Sequence, residues 1–341
     1  MRMKRVFLSL IAFVSLTAED SIERGRPLKL DQIGSGISES ARFELRDSWS
    51  LGINVHFNEY AASQDSMEIA YIGNASFNPE GSALVFDSDF KPGFEVGFIL
   101  NTPYDHWNIG GEYLWFQSSE NVSKGADSPY FYLSPLNIVS DSQLIRSLAS
   151  SLDININVAD LYLTRAYYSG LNLTIEPLMG LKATFIKQDF DLSSTLASFS
   201  WGSQTLSTKA ISWGIGPRLG LQANYLLGLG FSLFGDLSTS LLYTTYNKLH
   251  LDYANSAGAS SFATNNNAQL IQPIIDTGIG LSFGSYIRRK SLYVNLTAAY
   301  NFSAFFSQNM SRALVSTSSA NQGIPANLYL QGVSVGLALL F

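Results

Sequence analysis

Long stretches of the chain separate into two faces by parity. In SWGIGPRLGLQANY (212–225) the odd positions are Trp213, Ile215, Pro217, Leu219, Leu221, Ala223 and Tyr225, and the even ones are small or polar. A period of two predicts strands. The same separation runs through LTIEPLMGLKATF (173–185), LGFSLFGDLSTSLLYTTY (229–246), 271–284 and 291–303. It recurs in LVFDSDFKPGFEVGFIL (84–100), where Leu84, Phe86, Phe90, Phe94, Val96 and Phe98 oppose Asp87, Asp89, Lys91 and Glu95. Shorter versions lie at 49–60 and 107–118. In 153–168 Ile154, Ile156 and Val158 share one parity and Leu161 and Leu163 the other, which predicts a bulge near Ala159 and Asp160. With the closing strand 326–341, the alternation counts ten strands. MEIAYIG (67–73) reads as an extension of the first outer hairpin; counted as a spanning strand it would give eleven, and twelve stays open if a further strand hides in 40–47 or in a loop.

The connectors alternate in length. Short turns are expected at 101–106, 169–172, 225–228 and 286–290, and long polar loops at 119–152, 191–207, 250–268 and 304–326. Within the first long loop, Leu144, Ile145 and Leu148 at helical spacing behind a serine cap predict a helix over 140–152, folded over the mouth or exposed. Short turns at one end and long loops at the other are the asymmetry of an outer-membrane barrel. The fold class expected is therefore all-β: a membrane-spanning antiparallel up-and-down barrel occupying 49–341.

Composition sharpens this picture. Charged residues make up 14% of the chain and aromatics 13%, with no cysteine, against roughly 25% charged residues in ordinary soluble domains. Residues 1–18 read as a cleaved leader, with basic MRMKR followed by the apolar run VFLSLIAFVSL, too short to span a bilayer. Residues 19–48 read as a periplasmic tail or partial plug. Removing the leader with its three basic residues takes the net charge from −6 to about −9, which excludes nucleic acid as a natural partner. Without cysteine there is no disulfide, thiol nucleophile or thiolate metal site.

Catalytic motifs are missing. His56, His106 and His250 stand far apart, without metal-ligand spacing, and are expected in solvent or at an interface. GLGFSLFG (228–235) lacks the lysine and hydroxyl of a phosphate loop. His250 beside Asp252 in an outer loop is the one pair that a rim hydrolase could use, and neighbouring loop charges are ordinarily just solvated. No cofactor, metal or catalytic residue is implied. The inward parity instead carries Glu95, Glu112, Glu176, Lys182, Arg218, Asp236 and Asp276. These are the candidate pore-lining residues, either a selective charged constriction or a network that fills the cavity. Gly214, Gly216, Gly220, Gly278 and Gly280 on the same parity are expected to widen the lumen locally.

Two resemblances follow from particular residues. NVADLYLTRAYYSGLNLTIEPLMGLKATFIKQDF (157–190) with WGIGPRLGLQANYLLGLGFSLFGDLSTSLLY (213–243) resembles the Legionella major outer-membrane-protein family. The shared features are Asp160, Arg165, Tyr167 and Tyr168; Pro177, Gly180 and Leu181; Gln188; and Gly214, Gly216, Pro217 and Arg218. FKPGFEVGF (90–98) is similar to another strand of that family, with Lys91 and Glu95 in place of its acid and arginine. The resemblance implies a pore-forming barrel without catalytic residues. Separately, the last strand aligns Tyr329, Val333, Val335, Leu337, Leu339 and Phe341 on one face, similar to the signal read by the barrel assembly machinery.

The expected protein is a porin-like channel in the outer membrane of a Gram-negative bacterium. It would let small hydrophilic solutes or ions diffuse passively through a narrow water-filled lumen. The alternative is a structural or surface-interaction barrel with a closed lumen. Lipid and the assembly machinery are the partners implied, and self-association into a homo-oligomer is left open.

Overall fold

The computed structural model describes residues 49–65, 69–72, 83–103, 107–125, 131–133, 144–169, 172–196, 202–256, 260–287, 292–310 and 325–341. The expected leader (1–18), the tail (19–48) and His106 lie outside the described residues. Ten long strands form the wall: β1 Ser50–Gln64, β2 Lys91–Asn101, β3 Trp107–Lys124, β4 Leu144–Arg165 and β5 Leu173–Leu196, then β6 Ser203–Gly228, β7 Phe231–Asn255, β8 Ser260–Ile287, β9 Leu292–Asn309 and β10 Ala326–Leu340. Each pairs antiparallel with its sequence neighbours, and β10 returns to β1. Leu51 and Phe341 exchange both backbone hydrogen bonds, each 3.0 Å, so the ring is closed and the final aromatic is engaged in the seam. No edge remains between the first and last strands.

Register fixes the barrel's dimensions. One row of paired residues runs Gln64, Leu328, Phe305, Ile274, Ser240, Arg218, Gly180, Tyr162, Gly110, Ile99 and back to β1 at Gly52. The circuit returns 12 residues from its start, at Gly52 rather than Gln64. Ten strands with that stagger tilt by about 40° and give a backbone radius near 10 Å.

The lipid belt is plain on the outer face. Phe57, Leu161, Leu181, Leu219, Leu237, Ile279 and Leu281 are all exposed, an arrangement that only hydrocarbon tolerates. Aromatics border the belt. Phe94 stacks on Trp115, and Phe185, Trp213 and Tyr243 stand close by on adjoining strands at the upper rim. At the lower rim Phe231 meets Phe283 and Tyr286 meets Tyr293. The lower end has short turns. That joining β6 to β7 needs only Leu229 and Gly230, with φ of 54° and 83°, so the strands reach further than the turn expected at 225–228.

Among the described residues, much of the expected long loops is strand. β3 and β4, β5 and β6, and β7 and β8 continue as paired strands through most of 119–124, 144–152, 191–207 and 250–268, forming a collar above the belt. β9 and β10 likewise extend over 304–309 and from 326. The short piece Ala70–Ile72 pairs with Ala83–Leu84 and Phe131–Leu133 beside this collar. Residues 144–152 are strand, not helix. A register shift between Ile145 and Ser147 turns the two-residue period into a three-residue step, which is why buried Ile145 and Leu148 imitate helical spacing.

The bulge expected near Ala159 is also absent, since β4 pairs without interruption from Ser147 to Thr164. Even positions face inward along all of that stretch. What changes is the surroundings: Ile154, Ile156 and Val158 are buried inside the collar, while Leu161 and Leu163 face lipid. Leu84 and Phe86 likewise pack on the collar core, and Phe86 meets Phe190 edge to face.

Candidate functional site

Alternation delivers inward side chains from five adjoining strands to the level of the belt. β4 contributes Asp160 and Tyr162, β5 Lys182, β6 Arg218, β7 Asp236 and Ser238, and β8 Asp276. Lys182 Nζ donates to Asp160 Oδ2 at 3.1 Å and pairs with Asp276 Oδ2 at 3.0 Å. Those two acids are four strands apart in a ring of ten, so a single ammonium bridges the lumen. Arg218 Nη1 lies 2.9 Å from Asp160 Oδ2, its Nε donates to Ser238 Oγ at 3.1 Å, and Ser238 Oγ donates to Asp276 at 3.4 Å. The guanidinium is 5.7 Å from the Tyr162 ring centre, and the Tyr162 hydroxyl donates to Glu112 Oε1 at 2.7 Å. The Lys182 and Arg218 side chains are only 4% and 9% exposed. Buried charges of this kind persist only when paired.

The seven expected residues share one chamber of about 370 Å³. Five of them cluster at the bridging layer, Glu95 joins through His56, and Glu176 sits nearer the short turns on β5. The chamber's acids (Glu95, Glu112, Asp160, Glu176, Asp236 and Asp276) outnumber Lys182 and Arg218. His56 was expected in solvent or at an interface; it points inward instead, with Nδ1 3.3 Å from Glu95 Oε1. His250 and Asp252 do hydrogen-bond, at 2.7 Å, on the outer face of the collar strand β7. The inward glycines do not widen the lumen. A Cβ on Gly278 would sit 2.5 Å from Asp236 Oδ1, and one on Gly214 2.6 Å from Thr244 Oγ1. Each vacates space that a neighbouring polar side chain fills.

Above the charged layer the lumen changes character. Tyr60, Leu114, Val158, Phe305 and Leu330 roof the chamber. Next come Phe116, Ile156, Ile186, Leu242 and Ile274, all essentially without solvent exposure and drawn from five strands. A hydrogen-bonded run crosses the barrel above them: Thr244 Oγ1 donates to Gln272 Oε1 (2.9 Å), Gln272 Nε2 to Gln308 Oε1 (2.7 Å), and Gln308 Nε2 to Ser212 Oγ (2.9 Å). Phe190, Leu192, Leu206, Leu251 and Tyr253 continue the packing upward. A second cavity, about 740 Å³ and lined by Val122, Ser150, Leu192, Leu206 and Tyr253 among others, lies at the outer mouth. Among the described residues, the two cavities are separated by packed side chains.

Asp160, Tyr162 and His56 are the members of the charged layer that reading by parity missed. Uninterrupted parity through 154–164 would have found Asp160 and Tyr162. His56 has the right parity in 49–60 but lacks a neighbouring charge to mark it.

The outward face of β10 presents Val333, Leu337 and Phe341 to the belt, with Tyr329 higher up. Tyr329 donates to Asp65 Oδ2 at 2.8 Å. Gln331, the polar break in that face, accepts a hydrogen bond from the Tyr300 hydroxyl at 3.3 Å.

Among solved structures, the outer membrane protease OmpT of Escherichia coli is 11% identical, with a TM-score of 0.44, covering 86% of this chain and 98% of that one. A major outer membrane protein of Thermus thermophilus is 10% identical, with a TM-score of 0.30, covering 86% and 100%. Ail, the attachment invasion locus protein of Yersinia pestis, is 7% identical, with a TM-score of 0.25, covering 86% and 99%. Nothing about this chain's activity follows from likenesses of that strength. No curated protein sequence matches. The family model described as the Legionella pneumophila major outer membrane protein precursor matches residues 44–341. With a closed ten-strand wall, a lipid belt and that match, the chain belongs to the Legionella outer membrane protein family, a family of the outer membrane.

Proposed function

We propose that this barrel acts at the cell surface with its lumen closed, as a structural or surface-interaction protein, and not as an open general pore. The observation that carries this reading is the Lys182 bridge between Asp160 and Asp276 across the lumen, beneath an apolar layer with no exposure at Phe116 or Ile156. A wall radius near 10 Å leaves little room once side chains enter from every side, and these side chains meet. The test is conductance of the refolded full chain in a planar bilayer, beside a heat-shift gel that verifies the closed barrel. The expected result is a well-folded population without stepwise current. Steady channels of uniform conductance in that population would overturn the proposal.

The acidic chamber below the apolar layer favours a second reading, the passive diffusion of small solutes or ions. It requires the layer to move and predicts a preference for cations, because acids outnumber bases on the chamber wall. Ile156→Gly separates the two readings. A gated channel would show more frequent openings, whereas a sealed structural barrel would lose stability without gaining current. A hydrolytic role is not part of the proposal. His250→Ala is expected to leave any hydrolysis by the purified barrel unchanged.

A further inference from the structure

Just above the upper aromatic rim, three adjoining strands carry outward lysines. Ile211 on β6 pairs with Lys187 on β5 and with Lys248 on β7, so both lysines stand in one row across the wall. Lys209 lies two residues further along β6 on the same face and pairs across to Asp189 and His250. Phe185, Trp213 and Tyr243, all about half exposed, sit immediately below on the same three strands. In the same rows on β3 and β4 the outward residues are Gln117, Asn155, Ser119 and Asp153. The described lysines and arginines otherwise occupy the lumen, the collar top or the lower end.

Lys248 reaches this face because of a bulge. Register with β8 shifts between Tyr246 and Leu249, so Asn247 and Lys248 are both exposed while Tyr246 and Leu249 are both buried. An uninterrupted strand would send Lys248 into the collar core. Bulges redirect single side chains in this way. Asp189 pairs with Lys187 and, at 3.7 Å, with Lys209, but no ion pair to Lys248 occurs among the described residues. Lys187 and Lys248, in the row nearest the belt, face no acid within that row, whereas Asp153, Asp189, Asp191 and Asp252 face outward one or two steps further up the strands.

Position decides the partner. β5 rises about 30 Å from Leu173 to Phe185 at the strand tilt, close to the thickness of the apolar band with its girdles. The lysines thus stand at the headgroup level of the outer leaflet, where basic side chains attract anionic lipid and aromatic rings seat at the boundary. We propose that Lys187, Lys209 and Lys248, above Phe185, Trp213 and Tyr243, form a binding site for the phosphorylated headgroup of an outer-leaflet glycolipid. The ammonium groups bind the phosphate and the aromatic rings lie along the first part of the acyl chains. This holds whether or not the lumen conducts.

The test uses the refolded full chain with a bis-phosphorylated glucosamine lipid, its dephosphorylated form, and inorganic phosphate alone. Retention of each lipid after detergent washing is compared for the unaltered chain, K187Q/K209Q/K248Q, K248Q alone and the collar-top variant K124Q. The expected result is strong retention of the phosphorylated lipid, unchanged in K124Q and reduced about fivefold per lysine lost. Retention should fall with added salt and persist against inorganic phosphate at the lipid's own concentration. If the triple variant does not give the heat-shifted band of a closed barrel, K248Q decides. Equal retention by K248Q and the unaltered chain overturns the site. So does equal retention of the dephosphorylated lipid, or displacement by inorganic phosphate at that concentration.

Discussion

β5 and β6 pass through two surroundings without changing parity. In the belt their outward residues are Met179, Leu181, Phe185, Leu219 and Leu221, and their inward ones include Lys182 and Arg218. In the collar the outward residues are Lys187, Asp189, Asp191 and Lys209, and the inward ones are Phe190, Leu192 and Leu206. Oil is outside below and inside above. The collar is thus built like a water-soluble barrel and the belt like a membrane one, on the same strands. Alternation assigns a residue to a face, but the medium each face meets must come from elsewhere.

Substitutions that invert one region and spare the other test this contrast, beginning with the largest effect. Lys182→Met leaves Arg218 as the one cation between Asp160 and Asp276 and should destabilise the barrel by about 3–5 kcal/mol, read from urea unfolding in lipid vesicles. Little change would mean that the bridge adds nothing to the belt. Leu219→Arg, on the lipid face, should cost about 2–4 kcal/mol. Gln222→Arg, facing the chamber, should insert normally, and equal losses for the two would reverse the facing. Ile186→Val, inside the collar, should cost about 0.5–1.5 kcal/mol. The same truncation at Ile215 should cost less, since mobile lipid fills the gap and packed protein does not. At the bottom of the scale, Thr205→Lys on the collar's outer face should stay within about 0.5 kcal/mol, although a basic residue at Leu219 does not.

The sequence made the belt legible. Wherever both media are present, as in 212–225, apolar and polar residues separate cleanly, and the ten strands and the inward charges follow from parity. The collar was read as loops because its outer face is polar and its strands lack a lipid face to announce them. The reversal at Val158 and Leu161 looks the same whether a bulge flips the strand or the medium flips around it. Real bulges hid as well: the one at Ile145 imitated a helical turn, and the one at Tyr246 moved Lys248 out of the parity that would have placed it inside. The closure of the lumen was out of reach because it depends on the lengths of side chains meeting from opposite walls. Lys182 and Asp276 share no local pattern.

The reversal of media also sets the depth at which the molecule floats. Sinking by one residue pair would draw Lys187 and Lys248 toward hydrocarbon, and rising by one would lift Phe185 and Trp213 into water. Either displacement is penalised on several strands at once, so the barrel carries its own waterline and resists bobbing, whatever the thickness of the surrounding bilayer.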